Sequence, residues 1–552
     1  MKKIIFSAII SILSVGIFAQ APTDWFHLSQ DSGFNGVATE NAYRVAKGKT
    51  SSTVIVAVLD SGVDVEHEDL RDNVWVNPGE IPDNGIDDDR NGYIDDINGW
   101  NFIGGAKGNV NHDTYEATRL YKKYKYKYEN AVESQLSKDQ KKEYEVFKKV
   151  RDEVTANRES AESRLASIGE TESIVMDAVA ALETALDGKD LTSENIKAID
   201  PADDPNLMNG VNMVLEAIGQ GEEFGTIENL RTAVLDQFAG AKERYKNQIE
   251  YAYNIDFDPR PLVGDDYNDP YQKNYGNNDV EGPDAFHGTH VSGIIGAVRG
   301  NSIGMDGVAT DVRIMSVRTV PDGDERDKDV ANAIIYAVDN GASIINMSFG
   351  KGYSWDKAAV DAAVRYAAKN DVLLVHAAGN SAQDNDITDN FPNDTYQKKK
   401  LFKPKHAKTW VEVGALSFQK GENLSASFSN YGEDDVDIFA PGVAIYSTTP
   451  NDLYRNAQGT SMAAPVVAGV AAMIRSYYPS LTATQVKEVL MDSSVKMNEQ
   501  VLIPGKGGDK TSFANLSVSG GTVNAYSAMQ LASTIKGKKK IKKSKSAKVA
   551  KP

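Results

Sequence analysis

The chain has 552 residues, 41% hydrophobic and 25% charged, with 60 Lys+Arg against 78 Asp+Glu, a formal charge of −18 and no cysteine. Such a composition is ordinary for a globular protein, provides for more than one domain and excludes disorder of the whole chain. The acidic balance argues against nucleic acid and anionic membranes as partners and suits divalent cations, while zero cysteine excludes disulfides, thiolate zinc sites and a cysteine nucleophile.

Lys2 and Lys3 lead into the apolar run Ile4 to Phe18, which ends at Ala19-Gln20-Ala21. This layout predicts a signal peptide over 1–21, and with it a secreted or periplasmic protein. The run is shorter than the roughly 20 residues of a membrane span, and nothing later is apolar for 18 residues, so no membrane span is expected. Next, Val54–Leu59 is an uninterrupted apolar run ending at Asp60, the pattern of a strand covered on both faces.

The acidic segment Asp87 to Asn98 spaces its oxygen ligands like a calcium loop. Asp87, Asp89, Asn91 and Asp95 stand at positions 1, 3, 5 and 9, Gly92 at the turn position 6, and Tyr93 at 7 offers a carbonyl. Position 12 is Asn98 where such loops carry a bidentate glutamate, and Asp96 is the substitute carboxylate. The bland alternative is a solvated turn, but so many carboxylates without a cation repel one another. The expected metal set is Asp87, Asp89, Asn91, Tyr93, Asp95 and Asp96, with a structural Ca2+.

Residues 109–168 contain neither Gly nor Pro. Leu136, Tyr144, Phe147, Val150 and Val154 recur there at helical spacing. Further helical stretches, Thr171–Leu186 and Ile227–Tyr253, make 113–255 a helical insertion. The Tyr-Lys alternation of Tyr121–Tyr128 has the look of a nucleic-acid stacking surface, but the acidic residues around it argue against that reading. From about residue 280, apolar strand candidates (Val312–Val320, Ser343–Ser348, Val372–Ala377) alternate with helical ones (Asp327–Asn340, Ser354–Asn370). Such alternation predicts a three-layer α/β/α fold around a mostly parallel sheet. The last 17 residues hold nine lysines and no acid, and 534–552 reads as a disordered tail.

In open parallel sheets functional groups gather beyond the carboxyl ends of the strands. Asp60, Ser348 and Asn380 each follow an apolar run, while His287-Gly-Thr-His290 and Gly459-Thr-Ser461-Met-Ala-Ala-Pro465 open helical stretches. A serine at a helix start is by default a cap. Here it comes in the order Asp, His, Ser, one of the known arrangements of the catalytic triad. With Val58-Leu-Asp60-Ser-Gly62, Ala377-Ala-Gly-Asn380, Asn346-Met-Ser-Phe-Gly350 and Phe439-Ala-Pro-Gly442 beside these two motifs, the sequence resembles the subtilisin-like serine proteases (subtilases, peptidase S8) over 51–70 and about 280–495.

That resemblance implies a subtilisin-like fold and a serine endopeptidase acting on proteins or peptides through an acyl-enzyme. It implies Ser461 as nucleophile, His287 as base, Asp60 as its orienter and Asn380 as oxyanion donor, with Ser348, Phe349 and Gly350 lining the substrate cleft. His290 reads as structural. The peptidase domain is then expected over 22–112 and 256–533, interrupted by the insertion. Two alternatives use the same fold: a binding protein that has lost catalysis, and a narrow processing protease or peptide ligase. Two features depart from the family's pattern, the wide separation of Asp60 from His287 and the short stretch between signal and peptidase domain, which is too brief for the usual folding-assistant segment.

Overall fold

Val54 to Asp60 alternates its side chains between two apolar layers, and both are covered. Val54, Val56 and Val58 enter one hydrophobic cluster, Ala57 and Leu59 the other, as the period of two requires. The computed structural model, which describes residues 21–219, 224–397 and 405–539, builds a nine-stranded sheet around this strand. Its strands are β1 (Val54–Asp60), β2 (Gly99–Asn101), β3 (Val312–Arg318), β4 (Ile344–Met347), β5 (Leu373–Ala377), β6 (Trp410–Leu416), β7 (Ile438–Pro441), β8 (Val495–Lys496) and β9 (Gly521–Thr522).

The spatial order is β8-β9-β7-β6-β5-β4-β1-β3-β2, and every pairing is parallel except β8 with β9. The helices of eight or more described residues are α1 (Thr39–Ala46), α2 (Glu116–Tyr128), α3 (Lys138–Leu186), α4 (Pro205–Gly219), α5 (Ile227–Asn247), α6 (Phe286–Gly296), α7 (Asp327–Asp339), α8 (Lys357–Lys369), α9 (Thr460–Tyr477), α10 (Ala483–Asp492) and α11 (Ala525–Ala532). Apolar residues of α1, α6, α9, α10 and α11 cover one sheet face, and those of α7 and α8 the other. The expected three-layer α/β/α architecture is present. Strands β3 and β4, consecutive in the chain, flank β1 on opposite sides, so the connections reverse at β1 and open a crevice at its carboxyl end.

The chain divides into two compact units, one of them Ala117–Phe257 and the other formed by Ala21–Glu116 with the chain from Asp258 onward. The helical unit has a core of its own, in which Val175, Val179 and Leu182 of α3 meet Val211 and Val214 of α4 and Leu230 and Val234 of α5. Ser137 starts α3 with a reciprocal capping box to Gln140. The sequence reading broke this helix near Gly169, whereas α3 runs through it for 49 residues. One glycine costs a helix only about 1 kcal/mol, too little to end it. The Tyr-Lys alternation resolves into an inward face, with Tyr128 packed on Tyr144 and Phe147, and an outward one, with Tyr126 92% exposed.

In the other unit Arg326 ties together the two points where the chain leaves and returns. Its Nε donates to Asp113 Oδ2 at 2.6 Å and its NH2 lies 3.5 Å from Asp258 Oδ1. Residues 534–539, read from sequence as disordered, are held: Lys536 O accepts from Gln485 Nε2 at 3.1 Å and Lys539 N donates to Ser480 O at 2.9 Å. The predicted signal peptide and the tail beyond 539 lie outside the described residues. Among the described residues no helix is long and apolar enough to cross a membrane.

Candidate active site

Strand β1 ends on Asp60, and its side chain is 2% exposed. Asp60 Oδ1 accepts from Ser61 N at 2.8 Å and from His287 Nδ1 at 2.7 Å. His287 is carried by the first turn of α6, which comes this close because Gly288 follows it: a Cβ there would lie 2.1 Å from Gly62 O and 3.1 Å from Asp60 Cβ. Burial works against a charge on His287, but the Asp60 carboxylate and its hydrogen bond, helped by Asp284, raise its pKa above the usual 6.5. With 37% of its side chain exposed, the imidazole opens onto a cleft of about 390 Å3 lined by Asp60, Arg318, Val320, Ser348 and Phe349 among others. His290, a turn further along α6, is fully buried, bonds Arg455 O at 3.0 Å and is pushed down to about 4 by burial.

Ser461 is the second residue of α9. Its hydroxyl donates to Ser348 O at 3.0 Å, and the Ser348 hydroxyl in turn donates to Ser461 O at 2.9 Å. The second bond has a local cause. Pro465 lies inside α9 and has no N–H to offer the carbonyl four residues before it, so a side chain from β4's extension fills the gap. Ser348 therefore belongs both to the cleft containing Asp60 and His287 and to the start of α9.

Asn380 follows β5. Its Oδ1 accepts from Thr460 N at 2.8 Å and from Thr460 Oγ1 at 3.0 Å, which turns the amide nitrogen toward Gly459. A Cβ on Gly459 would stand 3.3 Å from Asn380 Nδ2 and 3.5 Å from Ser461 N. Glycine thus leaves open the space where two N–H donors converge, and its φ of +152° suits no other residue well. Thr460 was not singled out from sequence; a hydroxyl directly before the serine was the available signal. Phe349 is half-buried and Gly350 exposed. Arg318, also missed, sits opposite Asp60 in the β1–β3 register and donates to Ser61 O at 2.7 Å and Val110 O at 2.6 Å.

The acidic loop is only partly the set read from sequence. Asp87 and Asp89 lie with Glu80, each offering a carboxylate oxygen within 4.8 Å of the others. Asp87 also receives Asn91 N at 3.0 Å and Gly92 N at 2.9 Å. Asn91 donates from its amide to Asp89 and Asp96. Asp95 turns away to Asn84 N and Gly85 N. Asp96 is buried under the Tyr336 hydroxyl at 2.6 Å, and the Tyr93 side chain packs edge-on against Trp100 and Tyr336. Glu80, outside the counted spacing, was missed.

The chain is similar to known proteins of one family. The family model of the subtilases (Subtilase family) matches residues 51–514. Subtilisin DY of Bacillus licheniformis is 35% identical over 224 residues, 40% of this chain and 74% of that protein. Thermitase of Thermoactinomyces vulgaris is 35% identical over 245 residues, 44% of this chain and 75% of that protein. A thermophilic serine proteinase of Bacillus sp. (strain AK1) is 39% identical over 191 residues, 34% of this chain and 42% of that protein. With the family model spanning most of its length and the parallel sheet in place, this chain belongs to the subtilase family and is a serine endopeptidase of subtilisin-like α/β fold.

Proposed function

We propose that the chain is an exported serine endopeptidase that cleaves proteins or peptides through an acyl-enzyme on Ser461. The observation that carries this reading is the 2.7 Å Asp60–His287 bond at the mouth of a cleft that also contains Ser348, the acceptor of the Ser461 hydroxyl. On attack the hydroxyl rotates from Ser348 O to His287 Nε2. The proton passes to that nitrogen as Oγ bonds the scissile carbonyl carbon, and the carbonyl π pair moves onto oxygen. Asn380 Nδ2 and Ser461 N–H donate to the oxyanion. As it collapses, the C–N bond breaks and the departing amine takes the proton from His287. Water then repeats the sequence on the ester, returning Ser461 and releasing the acid. Asp60 holds the imidazole in the tautomer with Nδ1 protonated and stabilises the imidazolium without taking its proton.

Ser348–Gly350 is the edge against which the substrate backbone lies as an added strand. The peptidase domain is read as 22–112 with 256–533, and export as cleavage near residues 19–21. The acidic loop suits Ca2+ chemically: Glu80, Asp87 and Asp89 are hard oxygen donors, and Glu80 Oε2 is buried with no hydrogen-bond partner. These three residues would hold the ion, which would brace the loops beyond Asp60 and take no part in the chemistry.

Labelling of the purified protein with a fluorophosphonate probe, beside Ser461→Ala, tests the nucleophile. Wild type labels and hydrolyses casein; Ser461→Ala does neither, with kcat lower by about 10⁶, the scale known for this family. Equal labelling of the two proteins would sink the reading.

A further inference from the structure

Strand β4 ends at Met347, which is still in register with Leu59 of β1 and His376 of β5. A further backbone pairing comes at Lys351, whose N donates to Phe391 O at 2.9 Å while Phe391 N donates to Lys351 O at 2.8 Å. Ser348, Phe349 and Gly350 thus run between two fixed points, the sheet at one end and Lys351 at the other.

The Lys351 side chain fastens the second of these points to the start of α7. It is 1% exposed, so its ammonium is out of reach of solvent and takes its acceptors from the interior. Nζ lies 2.6 Å from Glu325 O, 2.8 Å from Asp327 Oδ1 and 3.6 Å from Glu116 Oε2. Asp327, the first residue of α7, gathers the rest of the turn as well. Its Oδ2 accepts from the Ser354 hydroxyl and from Asp356 N at 2.6 Å, and Asp356 in turn caps α8 by accepting from Ala359 N at 3.2 Å. Burial works against a charge on Asp327, but the Lys351 ammonium beside it and these hydrogen bonds hold its carboxyl below the usual range. The buried ammonium is therefore matched by an ionised carboxylate, the condition under which such a pair is tolerated inside a protein.

The turn does not itself require a lysine here. The backbone bonds between Lys351 and Phe391 need no particular side chain, and Ser354 and Asp356 reach Asp327 without it. What the ammonium adds is a fixed distance between the end of the edge and the start of α7. A peptide that joins Ser348–Gly350 as a strand must order whatever part of that edge is loose, and ordering on binding lowers affinity. We propose that Lys351 is a positioning residue: its buried ammonium, seated on Glu325 O and Asp327, fixes the far end of Ser348–Gly350 so that the edge is already formed when the acyl side of a peptide arrives. The proposal rests on the reading of Ser461 and of Ser348–Gly350 given above.

The test compares N-acetylated p-nitrophenyl esters of one alanine and of four, which share a leaving group and differ in whether they reach along the edge. In wild type kcat/KM is higher for the longer ester; indifference to length overturns the edge and the proposal with it. Lys351→Met lowers that advantage by about tenfold or more, nearly all of it in KM, while its kcat/KM on the shorter ester and its rate of fluorophosphonate labelling stay within about twofold of wild type. An unchanged advantage overturns the proposal, and so does an equal loss on both esters, which is what a structural role alone predicts. Lys351→Met leaves Asp327 unmatched, so the double variant with Asp327→Asn removes both charges together and serves where the single one fails to fold by circular dichroism. The same loss of advantage is expected of it, and a wild-type advantage overturns the proposal. Should neither variant fold, hydrogen exchange of wild type decides. Backbone amides of 348–352 already protected in the free enzyme support the proposal, and protection that arises only with a peptide aldehyde bound overturns it. Labelling of wild type beside Ser461→Ala is run in parallel. Its loss counts against the nucleophile, whereas intact labelling with an unchanged advantage in the variants counts against Lys351 alone.

Discussion

His287 works as a base only while neutral, so its raised pKa has a kinetic consequence. The acid limb of kcat/KM against pH lies above 6.5, and activity falls as pH drops through it. Asp284 is one of the charges that favour the imidazolium. Asp284→Asn therefore moves the acid limb to lower pH, measured as kcat/KM on one peptide from pH 5 to 9; an upward shift contradicts the assignment of the base. Stability carries the opposite sign. The folded state holds this proton more tightly than the unfolded one, so the contribution is complete below about 6.5 and is lost as pH rises through the folded-state value. At this scale Asp60 and Asn380 stand out in the sequence as polar residues that end apolar runs, and His287 and Ser461 as members of helix-start motifs in the order Asp, His, Ser. Thr460 and Arg318 were not legible. Each is bonded to a partner distant in sequence (Asn380 and Ser61 respectively), and no local pattern announces such a pairing.

Among the elements, β1, β4 and β5 were readable as buried strands because they are continuous apolar runs. The predicted strand Val312–Val320 stops instead at Arg318, where the chain bends so that Thr319 N and Val320 N both reach Asp60 O. Strands β6 and β7 went unread: Glu412 and Gly414 interrupt the first, and the second is only four residues long. Glu412 is tolerated inside the sheet because it accepts from Trp410 Nε1 at 2.7 Å and contacts His376 Nδ1 at 3.0 Å. In the helical unit, Gly169 is the misread position, and a Cβ there meets nothing within 4 Å. Gly169→Ala thus removes backbone freedom from the unfolded chain at no steric cost and stabilises α3 by about 0.5–1 kcal/mol. Denaturant unfolding followed by circular dichroism reads this directly; a destabilised variant would mean that α3 is bent or contacted at that point.

For the whole molecule, the proposed cation couples a surface loop to global stability. A ligand that binds only the folded state adds about 2.7 kcal/mol at a hundredfold excess over its Kd. Calcium is expected to raise Tm, EGTA to lower it, and Glu80→Gln to abolish most of the difference in calorimetry. A Tm indifferent to calcium in the wild type would leave Glu80, Asp87 and Asp89 as an ordinary hydrogen-bonded turn. Spacing singles out Asp87 and Asp89, whereas Glu80, which lies beside them, comes from an earlier turn that no count from Asp87 reaches. The fold class was legible in full, since alternating apolar strands and helices leave few topologies open.

The Arg326 tie between Asp113 and Asp258 bears on how the chain finds this fold. Pairing β1 with β3 closes a loop of roughly 250 residues, whose entropic cost grows with the logarithm of its length. The helical unit is built from near-neighbour contacts and has a core of its own, the kind of structure that forms early. Once it has formed, residues near its two ends are already joined, Thr118 Oγ1 donating to Ala252 O at 2.7 Å, and the free chain still to be closed is less than half as long. An insertion that folds first would serve as a splint, shortening the search that the parallel sheet must make.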